Sequence, residues 1–228
     1  MNLTRKLAAE FLGTAFLLTI VVGSGIMGEK LSNGNHAIAL LANSIATGTG
    51  LAFLIYGFSD ISGAHFNSAV TLTEAFCGNL KWSECFYYLS IQILGAFCGV
   101  AVAHSMFDLP LFFASTRTRG EHSQLLSEFV ATFGLIAVIR LGLKFRPNLV
   151  GVLAACYITA AYWFSSSTSF ANPAATVARS MSGTFAGIKP ENVPMFIVAQ
   201  LSGAFAAAFV FKWLLKEEHQ KCPKEKKF

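Results

Sequence analysis

The sequence predicts an all-α membrane protein with six transmembrane helices and two short re-entrant half-helices, arranged as two inverted repeats. Three observations support this fold class: an apolar composition, six stretches long enough to cross a bilayer, and two similar motifs that mark helix starts at membrane depth. Hydrophobic residues make up 54% of the 228 residues and charged residues only 13%, about half the charged share of a soluble domain. The composition therefore favours a membrane protein.

Six apolar stretches approach the length of about 20 residues that a transmembrane helix requires. They lie near Leu7–Met27, Ala37–Phe58, Cys85–Phe107, Leu126–Leu143, Leu149–Phe164 and Val193–Leu215. The first stretch follows Arg5 and Lys6, as the apolar part of a signal peptide would. Five further spans argue against cleavage, so we expect the first stretch to remain as a membrane helix.

Two motifs of the pattern Asn–x–Ala–x–Thr predict short helices besides these spans. Asn172 is a favoured N-cap residue, and Pro173 fits the first helical position because its missing N–H would be unpaired there anyway. This helix is expected to run to about Ser182, and a second helix should start at Asn67. Non-helical backbone at membrane depth is tolerated only when buried in protein or lining a watery cavity. We therefore expect a pore or substrate site between the two asparagines.

The two halves of the chain resemble each other. Glu10 in Ala9–Thr14 has a counterpart in Glu128 of Ser127–Thr132, and each half, about 1–107 and 126–215, holds three spans and one half-helix. An odd number of crossings inverts the second copy relative to the first. The half-helices then point their N-termini at each other near the midplane.

Positive residues predict that both termini are cytoplasmic, because lysine and arginine collect on the inner side of membrane proteins. On this side lie Arg5, Lys6, Lys81, Lys144, Arg146, Lys212 and the C-terminal lysines. Residues 1–215 form the predicted channel domain, and 216–228 a charged cytoplasmic tail. That tail carries much of the formal charge of +5, which favours contact with acidic lipid over binding of nucleic acid.

Cysteine and histidine patterns predict no metal site and no cofactor. The five cysteines show no Cys–x–x–Cys spacing, and the five histidines are scattered along the chain. A metal site needs several such ligands close together. An integral-membrane enzyme is therefore not favoured.

The segment Ser62–Thr71, the paired Asn–Pro–Ala-type (NPA) motifs, the repeated Glu10 and Glu128 and the six-span layout together resemble the aquaporin, or major intrinsic protein, family. The resemblance covers nearly the whole chain and implies a passive channel, with one pore in each subunit of a homotetramer. It implies that Asn67 and Asn172 offer amide N–H groups to the lumen at the midplane, and that Glu10 and Glu128 accept hydrogen bonds from the two motif loops.

The same resemblance assigns roles to the residues around the asparagines. The motif positions are Ser68, Ala69, Pro173 and Ala174, and the carbonyls that form a ladder for passing hydroxyl groups are those of Gly63, Ala64, His65, Ser169, Phe170 and Ala171. Ser68 stands where proline is usual, and we expect the fold to survive with a slightly looser loop, since serine is compatible with a first helical turn.

The outer constriction departs further from the family pattern. Orthodox members carry arginine directly after the second motif, where this chain has Ala175. The family's offsets place the other three constriction positions at Thr47, Ala160 and Ser169. Four small side chains predict a wide ring without fixed charge, which should admit solutes larger than water.

Arg179 lies one helical turn beyond Ala175, toward the outer mouth, and its side chain should lean back toward the helix start. Two hypotheses follow. Arg179 guards the outer vestibule and partly replaces the missing cation barrier, or it makes an ion pair or carbonyl contact with an outer loop.

The second motif continues as Asn–Pro–Ala–x–Thr–x–Ala–Arg, which resembles bacterial channels associated with arsenic resistance. That resemblance implies a bacterial inner membrane, and arsenite, as its neutral trihydroxide, and methylated arsenicals as the metalloid cargo, with some water. A glycerol and water facilitator is the nearest alternative, but such members usually keep the arginine and an apolar aromatic wall. A coupled secondary transporter would need a titratable relay, and the only intramembrane acids predicted are Glu10 and Glu128.

Overall fold

The computed structural model describes residues 1–216, so the predicted tail, apart from Lys216, lies outside the described residues. Within 1–216 the regular structure is helical, and a single β-bridge joins Phe113 to Ser182 between two loops. Six segments are long and apolar enough to cross a membrane. The predicted fold class, six membrane helices with two shorter ones, is confirmed.

Residues 1–216 form eight α-helices, four in each half and in the same order. They are α1 (Leu3–Leu31), α2 (His36–Ser62), α3 (Ser68–Phe76), α4 (Trp82–Met106), α5 (His122–Phe145), α6 (Val150–Phe164), α7 (Pro173–Arg179) and α8 (Val193–Leu214). One-turn 3₁₀ helices at Pro147–Leu149 and Pro190–Asn192 precede α6 and α8. The short helices α3 and α7 are the predicted half-helices.

Helix α7 ends at Arg179, three residues before the predicted end at Ser182. The helix ends there because the backbone carbonyls of the next two residues bond to an outer loop instead of continuing the helix. The Ser180 carbonyl accepts the Ser115 N–H at 2.8 Å, and the Met181 carbonyl accepts the Phe113 N–H at 3.1 Å. This contact, between residues distant in sequence, accounts for the difference from the predicted end.

Small residues allow the long helices of each half to approach closely, as expected for membrane helices. A Cβ atom added to Gly99 of α4 would overlap the Ala15 carbonyl of α1, and one added to Gly203 of α8 would overlap the Phe129 carbonyl of α5. The pairs α1 with α4 and α5 with α8 therefore pack alike, and contact between α2 and α6 joins the halves. The half-helices lie between them.

Candidate pore and constriction

The two half-helices meet end to end at their capping asparagines. Asn67 Oδ1 accepts the Ala69 N–H at 2.8 Å and Asn172 Oδ1 accepts the Ala174 N–H at 3.1 Å, so each side chain caps its own helix. Asn67 Nδ2 donates to the Ala171 carbonyl at 2.7 Å, and Asn172 Nδ2 donates to the Phe66 carbonyl at 2.9 Å. These bonds join the two halves at the centre of the bundle.

Each asparagine keeps one donor for the lumen. A primary amide carries two N–H donors, and within residues 1–216 only one from each asparagine has a protein acceptor. Asn67 and Asn172 both line the main cavity. The positive ends of the two helix dipoles lie at the same place. The centre of the cavity therefore offers hydrogen-bond donors and a positive potential.

Glu10 supports the loop before the first half-helix. Its fully buried carboxylate accepts four hydrogen bonds of 2.7–2.9 Å, from Ser62 Oγ, the His65 and Phe66 N–H groups and Gln92 Nε2. Gln92 Nε2 also contacts Thr71 Oγ1 of α3 at 2.8 Å. The predicted role of Glu10 in loop support therefore has a direct structural basis.

Glu128 supports the second loop in the same way. It is fully buried, and its carboxylate accepts from the Phe170 N–H at 2.8 Å, the Ala171 N–H at 2.9 Å and Gln200 Nε2 at 2.7 Å. Gln200 Nε2 contacts Thr176 Oγ1 at 2.8 Å, which repeats the arrangement of the first half.

The two supported loops adopt the same unusual backbone conformation. Ala64 and Phe66 have φ of 51° and 47°, and Ser169 and Ala171 have φ of 51° and 47°. Such left-handed conformations are unfavourable for residues other than glycine and persist where the surroundings hold them. The carboxylates of Glu10 and Glu128, which accept hydrogen bonds from N–H groups of these loops, hold the backbone in this conformation.

A cavity of about 270 Å³ follows the predicted path between the half-helices. Glu74 and Leu143 line one end and Arg179 lines the other. We call these the inner and outer mouths, after the orientation predicted from the charges. Much of the wall is apolar, and its apolar side chains include Leu17, Leu18, Val21, Leu51, Ile55, Val70, Leu135, Ile139, Ala154 and Ile158. The polar groups of the wall come from the two loops and from Thr47, Glu74, Tyr162 and Arg179.

Most predicted ladder residues line this cavity, namely Gly63, Ala64, His65, Ser169 and Phe170. Ala171 does not. It is fully buried behind the wall, and its carbonyl accepts the Asn67 amide. The place of Ala171 in the ladder is therefore corrected, because the half-helix contact takes its carbonyl.

The remaining motif residues are buried but do not line the cavity. They are Ser68, Ala69, Pro173 and Ala174. Ser68 contributes two hydrogen bonds: its N–H donates to Asn172 Oδ1 at 3.4 Å, and its Oγ donates to Gln92 Oε1 at 3.2 Å.

The structure contradicts the assignment of Ala160 to the constriction. Ala160 is exposed on the outside of α6, whereas Val150, Ala154, Ile158 and Tyr162 line the cavity. Residues four apart share a helix face, so Ala160 points away from the lumen. The family's spacing, counted back from Asn172, gives Ala160, but the side chain that faces the cavity is that of Tyr162, two residues later on α6. The four-residue spacing from Val150 was the signal that could have identified Tyr162.

Thr47, Tyr162, Ser169 and Ala175 are all buried and all line the cavity, and they form the candidate constriction. Thr47 Oγ1 and Tyr162 Oη form a hydrogen bond of 3.1 Å. Ser169 Oγ is buried and has no hydrogen-bond partner in the described part of the chain. The ring therefore offers three hydroxyl groups beside the Ala175 methyl group.

Arg179 lines the same cavity and is only 3% exposed. Its Nε donates to the Ala186 carbonyl, and its guanidinium carbon lies 3.2 Å from the centre of the Phe170 ring. Among residues 1–216, its Nη1 and Nη2 donors have no protein acceptor. Both hypotheses for Arg179 therefore have a structural basis: it contacts an outer-loop carbonyl, and it presents free donors to the outer mouth.

Arg119 is a residue that the motifs did not single out. It lies in the loop between α4 and α5, where its Nε donates to the Gly187 carbonyl at 2.9 Å and its Nη1 to the Ser167 carbonyl at 2.7 Å. Burial, with the nearby Arg179 charge, lowers the pKa of Arg119 to about 9, so it remains charged at neutral pH. Arg119 does not line the cavity; it holds the loops around the constriction.

The inner mouth contains an ion pair. Arg140 Nη2 lies 2.9 Å from Glu74 Oε1, and Asn79 Nδ2 donates to Glu74 Oε2 at 2.8 Å. Glu74 is the one acidic residue among those lining the cavity. Its charge is therefore compensated within the protein.

Comparisons with known proteins agree with this geometry. The sequence model of the family described as Major intrinsic protein matches residues 1–162. Aquaglyceroporin AqpS of Rhizobium meliloti (strain 1021) is 49% identical over 94% of this chain and 92% of that protein. Aquaporin NIP1-1 of Oryza sativa subsp. japonica is 31% identical over 91% and 73%. The X-ray structure of the aquaglyceroporin from Plasmodium falciparum has a TM-score of 0.74 at 17% identity, over 94% of this chain and 97% of that chain, and shows the same fold.

Proposed function

Since the chain belongs to the major intrinsic protein family, whose aquaglyceroporin members are channels and not enzymes, we propose that it is a passive channel for compact, neutral, polyhydroxy solutes. The cargo includes arsenite as its neutral trihydroxide and methylated arsenicals, together with some water. Passage of small solutes such as glycerol and water follows from the likeness to an aquaglyceroporin. The observation that carries the proposal is the hydroxyl-lined constriction with Ala175 in place of arginine.

Cations are disfavoured relative to neutral solutes because the lumen is positive at its centre and at its outer mouth. The free amide donors of Asn67 and Asn172 and the two helix N-termini face a passing oxygen atom, and the guanidinium of Arg179 lines the outer mouth. A cation meets a positive potential along this path. An oxygen that accepts from both asparagines has no lone pair left to accept a hydrogen bond, and hence a proton, from a neighbouring molecule at that point, which interrupts a chain of proton transfer.

Polyhydroxy solutes are favoured because one side of the path is polar and the other apolar. The carbonyls of Gly63, Ala64 and His65 accept hydroxyl hydrogens as the solute moves, while side chains such as Leu17 and Ile158 face its apolar body. Ala175 leaves the space that an arginine side chain would fill. A solute larger than water can therefore cross the constriction.

A glycerol and water facilitator is the second candidate, and Tyr162 favours it. The absence of an aromatic wall argued against a facilitator when Ala160 was assigned to the constriction, but Tyr162 supplies one aromatic side chain there. A coupled transporter is less well supported. Glu10 and Glu128 do not line the cavity, and their carboxylates are bound by the loops, while Glu74, which does line it, is paired with Arg140.

Further features of the proposal follow from the sequence and the family resemblance. Residues 1–215 form the channel domain, both termini face the cytoplasm of a bacterium, and the protein assembles as a homotetramer in the inner membrane. Residues 216–228 lie at the cytoplasmic surface.

Stopped-flow swelling of proteoliposomes under water, glycerol and arsenite gradients tests the proposal, with protein-free liposomes as the control. We expect non-saturating entry of arsenite and glycerol and measurable water flow. Entry of glycerol without arsenite would favour the facilitator, water flow alone would contradict both candidates, and saturable flux that follows an imposed pH gradient would indicate a transporter.

Ala175→Arg sharpens this test. The long side chain would occupy the constriction next to Thr47 and Ser169, so we expect arsenite and glycerol entry to fall to the level of protein-free liposomes while some water flow remains. Unaltered arsenite uptake by this variant would show that the constriction lies elsewhere.

A further inference from the structure

We propose that a second pocket, beside the inner mouth, binds the phosphate headgroup of an anionic phospholipid. This pocket, called here the basic pocket, lies between the α3–α4 loop and the ends of α5 and α8. It is distinct from the main cavity, although Leu143 lines both. The inference concerns a lipid and not the conducted solute, so it does not depend on the proposed function.

The polar lining of the basic pocket is cationic. Arg140, Lys144 and Lys212 line it together with Asn79, whereas no acidic residue among residues 1–216 does. Lys144 and Lys212 lie in the last turns of α5 and α8, where they oppose the partial negative charge of the helix ends. The pocket has a volume of about 390 Å³, within the range of about 300–1,000 Å³ of small-molecule sites. It therefore has room and charge for an anionic group.

Two of the basic side chains keep hydrogen-bond donors for a ligand. Arg140 uses its Nη2 for Glu74 Oε1 at 2.9 Å and for the Thr73 carbonyl at 3.3 Å. A guanidinium group carries five donors in a fixed plane, and within residues 1–216 the Nε and Nη1 donors of Arg140 have no acceptor. Lys212 forms no ion pair in the same part of the chain, and its Nζ lies 5.9 Å from the centre of the Phe76 ring. A phosphate group offers several oxygens, so it can accept from both side chains.

The position of the basic pocket in the membrane favours a lipid over a soluble anion. Trp213 follows Lys212 at the end of α8 and is 73% exposed, and exposed tryptophans at the ends of membrane helices are typical of the headgroup level. Basic pockets between membrane helices on the cytoplasmic side bind anionic lipid headgroups. The rest of the lining is apolar and can contact the glycerol backbone and first acyl carbons of the lipid; it includes Leu143, Ala208, Phe211 and Leu215.

Arg140 connects the basic pocket to the inner mouth. It lines the pocket, whereas its partner Glu74 lines the main cavity. The pair with Glu74 uses Nη2, so a phosphate that accepts from Nε and Nη1 leaves the pair intact and holds Arg140 in place. Because the site is built from α5, α8 and the α3–α4 loop together, the lipid binds the folded protein only, and binding should stabilise the fold.

Native mass spectrometry of the full-length protein with added phosphatidylglycerol or phosphatidylethanolamine tests the inference. Both lipids contain phosphate, but only phosphatidylglycerol carries a net charge. We expect tighter binding of phosphatidylglycerol, and a higher unfolding temperature in detergent when it is added. Lys212→Gln should weaken this binding about fivefold, the effect of one basic residue at a membrane surface, and should change the binding of phosphatidylethanolamine less.

Lys81→Gln is the matched control. Lys81 is an exposed lysine predicted on the same side of the membrane, just before α4, and it lines neither the main cavity nor the basic pocket. The change in net charge equals that of Lys212→Gln, yet binding of phosphatidylglycerol should stay at the parent value. Lys212 is also exposed, so both variants should fold, and their unfolding temperatures without lipid check this.

Four results would overturn the inference. Equal weakening in both variants would mean that the lipid only screens the basic surface, and unchanged binding in Lys212→Gln would place the lipid elsewhere. Inorganic phosphate that raises the unfolding temperature as much as phosphatidylglycerol at equal concentration would indicate a soluble anion. Binding that appears only when Glu217 and Glu218 are both changed to glutamine would assign the pocket to the C-terminal tail. None of these measurements involves solute flux, so each of these results leaves the proposed function standing.

Discussion

The two motif loops are held in the same way, each by a buried glutamate, but the two mouths of the cavity beyond them differ. On the inner side Glu10 binds the loop before Asn67, and on the outer side Glu128 binds the loop before Asn172 in nearly the same way. Beyond this shared part, the inner mouth contains a compensated acid, Glu74, whereas the outer mouth contains Arg179. The repeated residues form the centre of the cavity, and we propose that the residues that differ between the repeats select what enters it.

The two mouths differ in the charged side chains that they contain. The pair of Glu74 with Arg140 compensates the acidic charge that lines the inner end of the cavity. At the outer end Arg179 and Arg119 approach the same Phe170 ring, at 3.2 and 5.0 Å, without an ion-pairing acid in residues 1–216. Any barrier to cations that is not at the midplane is therefore expected at the outer mouth.

The largest expected effect comes from removing either shared support. In Glu10→Gln and Glu128→Gln, an amide NH₂ group replaces a carboxylate oxygen and faces N–H donors. We expect the free energy of unfolding to fall by on the order of 3 kcal/mol or more in each variant, because charge-assisted hydrogen bonds are lost and buried donors lose their acceptor. Thermal unfolding in detergent and the yield of folded protein measure the effect.

The comparison between these two variants is itself informative. Glu10 accepts four hydrogen bonds and Glu128 three, so Glu10→Gln should be the more damaging. Glu84→Gln serves as the control, since Glu84 makes a partly exposed ion pair with Lys6. Wild-type stability in either buried variant would contradict the support role.

A smaller and more specific effect is expected at the outer mouth. Arg179→Ala removes a positive charge from the lumen, so we expect cation conductance in planar bilayers to rise above that of the parent. Arg119→Ala removes a positive charge that does not line the lumen and leaves the Ser167 and Gly187 carbonyls without their donor. It should lower stability by about 1–3 kcal/mol and leave cation exclusion intact.

The contrast between the two arginines decides between the hypotheses for Arg179. Conductance that does not change in Arg179→Ala would remove the barrier role and leave the carbonyl contact to Ala186. Equal conductance increases in both variants would show that loop displacement, and not the charge in the lumen, admits cations.

The sequence predicted those parts of the molecule that repeat. Asn67, Asn172, Glu10 and Glu128 could be found because each has a counterpart at the same place in the other half, and a mistake in one half would conflict with the other. Local patterns likewise located the six spans, since a helix that crosses a bilayer needs an apolar stretch of known length.

Features without a counterpart were predicted poorly. Tyr162 was missed because the constriction was counted from Asn172 with a fixed offset, whereas the direction of a side chain depends on the rotation of the whole helix. Arg119 was missed because its partners, the Ser167 and Gly187 carbonyls, are distant in sequence. Long-range contacts of this kind leave no periodic signal in a single sequence.

The smallest expected effect concerns the one position of the Asn–Pro–Ala triplet that differs between the halves, Ser68 and Pro173. Both residues follow an asparagine in an extended conformation, with φ of −150° and −154°, which suits the residue before a proline. Ser68→Pro would lose the 3.4 Å bond to Asn172 and the 3.2 Å bond to Gln92. It would also gain about 0.4–1 kcal/mol from a less flexible unfolded chain.

These terms oppose each other, so we expect the free energy of unfolding to change by less than about 1 kcal/mol, measured by thermal unfolding beside Pro173→Ser as the reciprocal variant. A large loss in Ser68→Pro alone would mean that the serine N–H, which proline lacks, is an essential link between the half-helices.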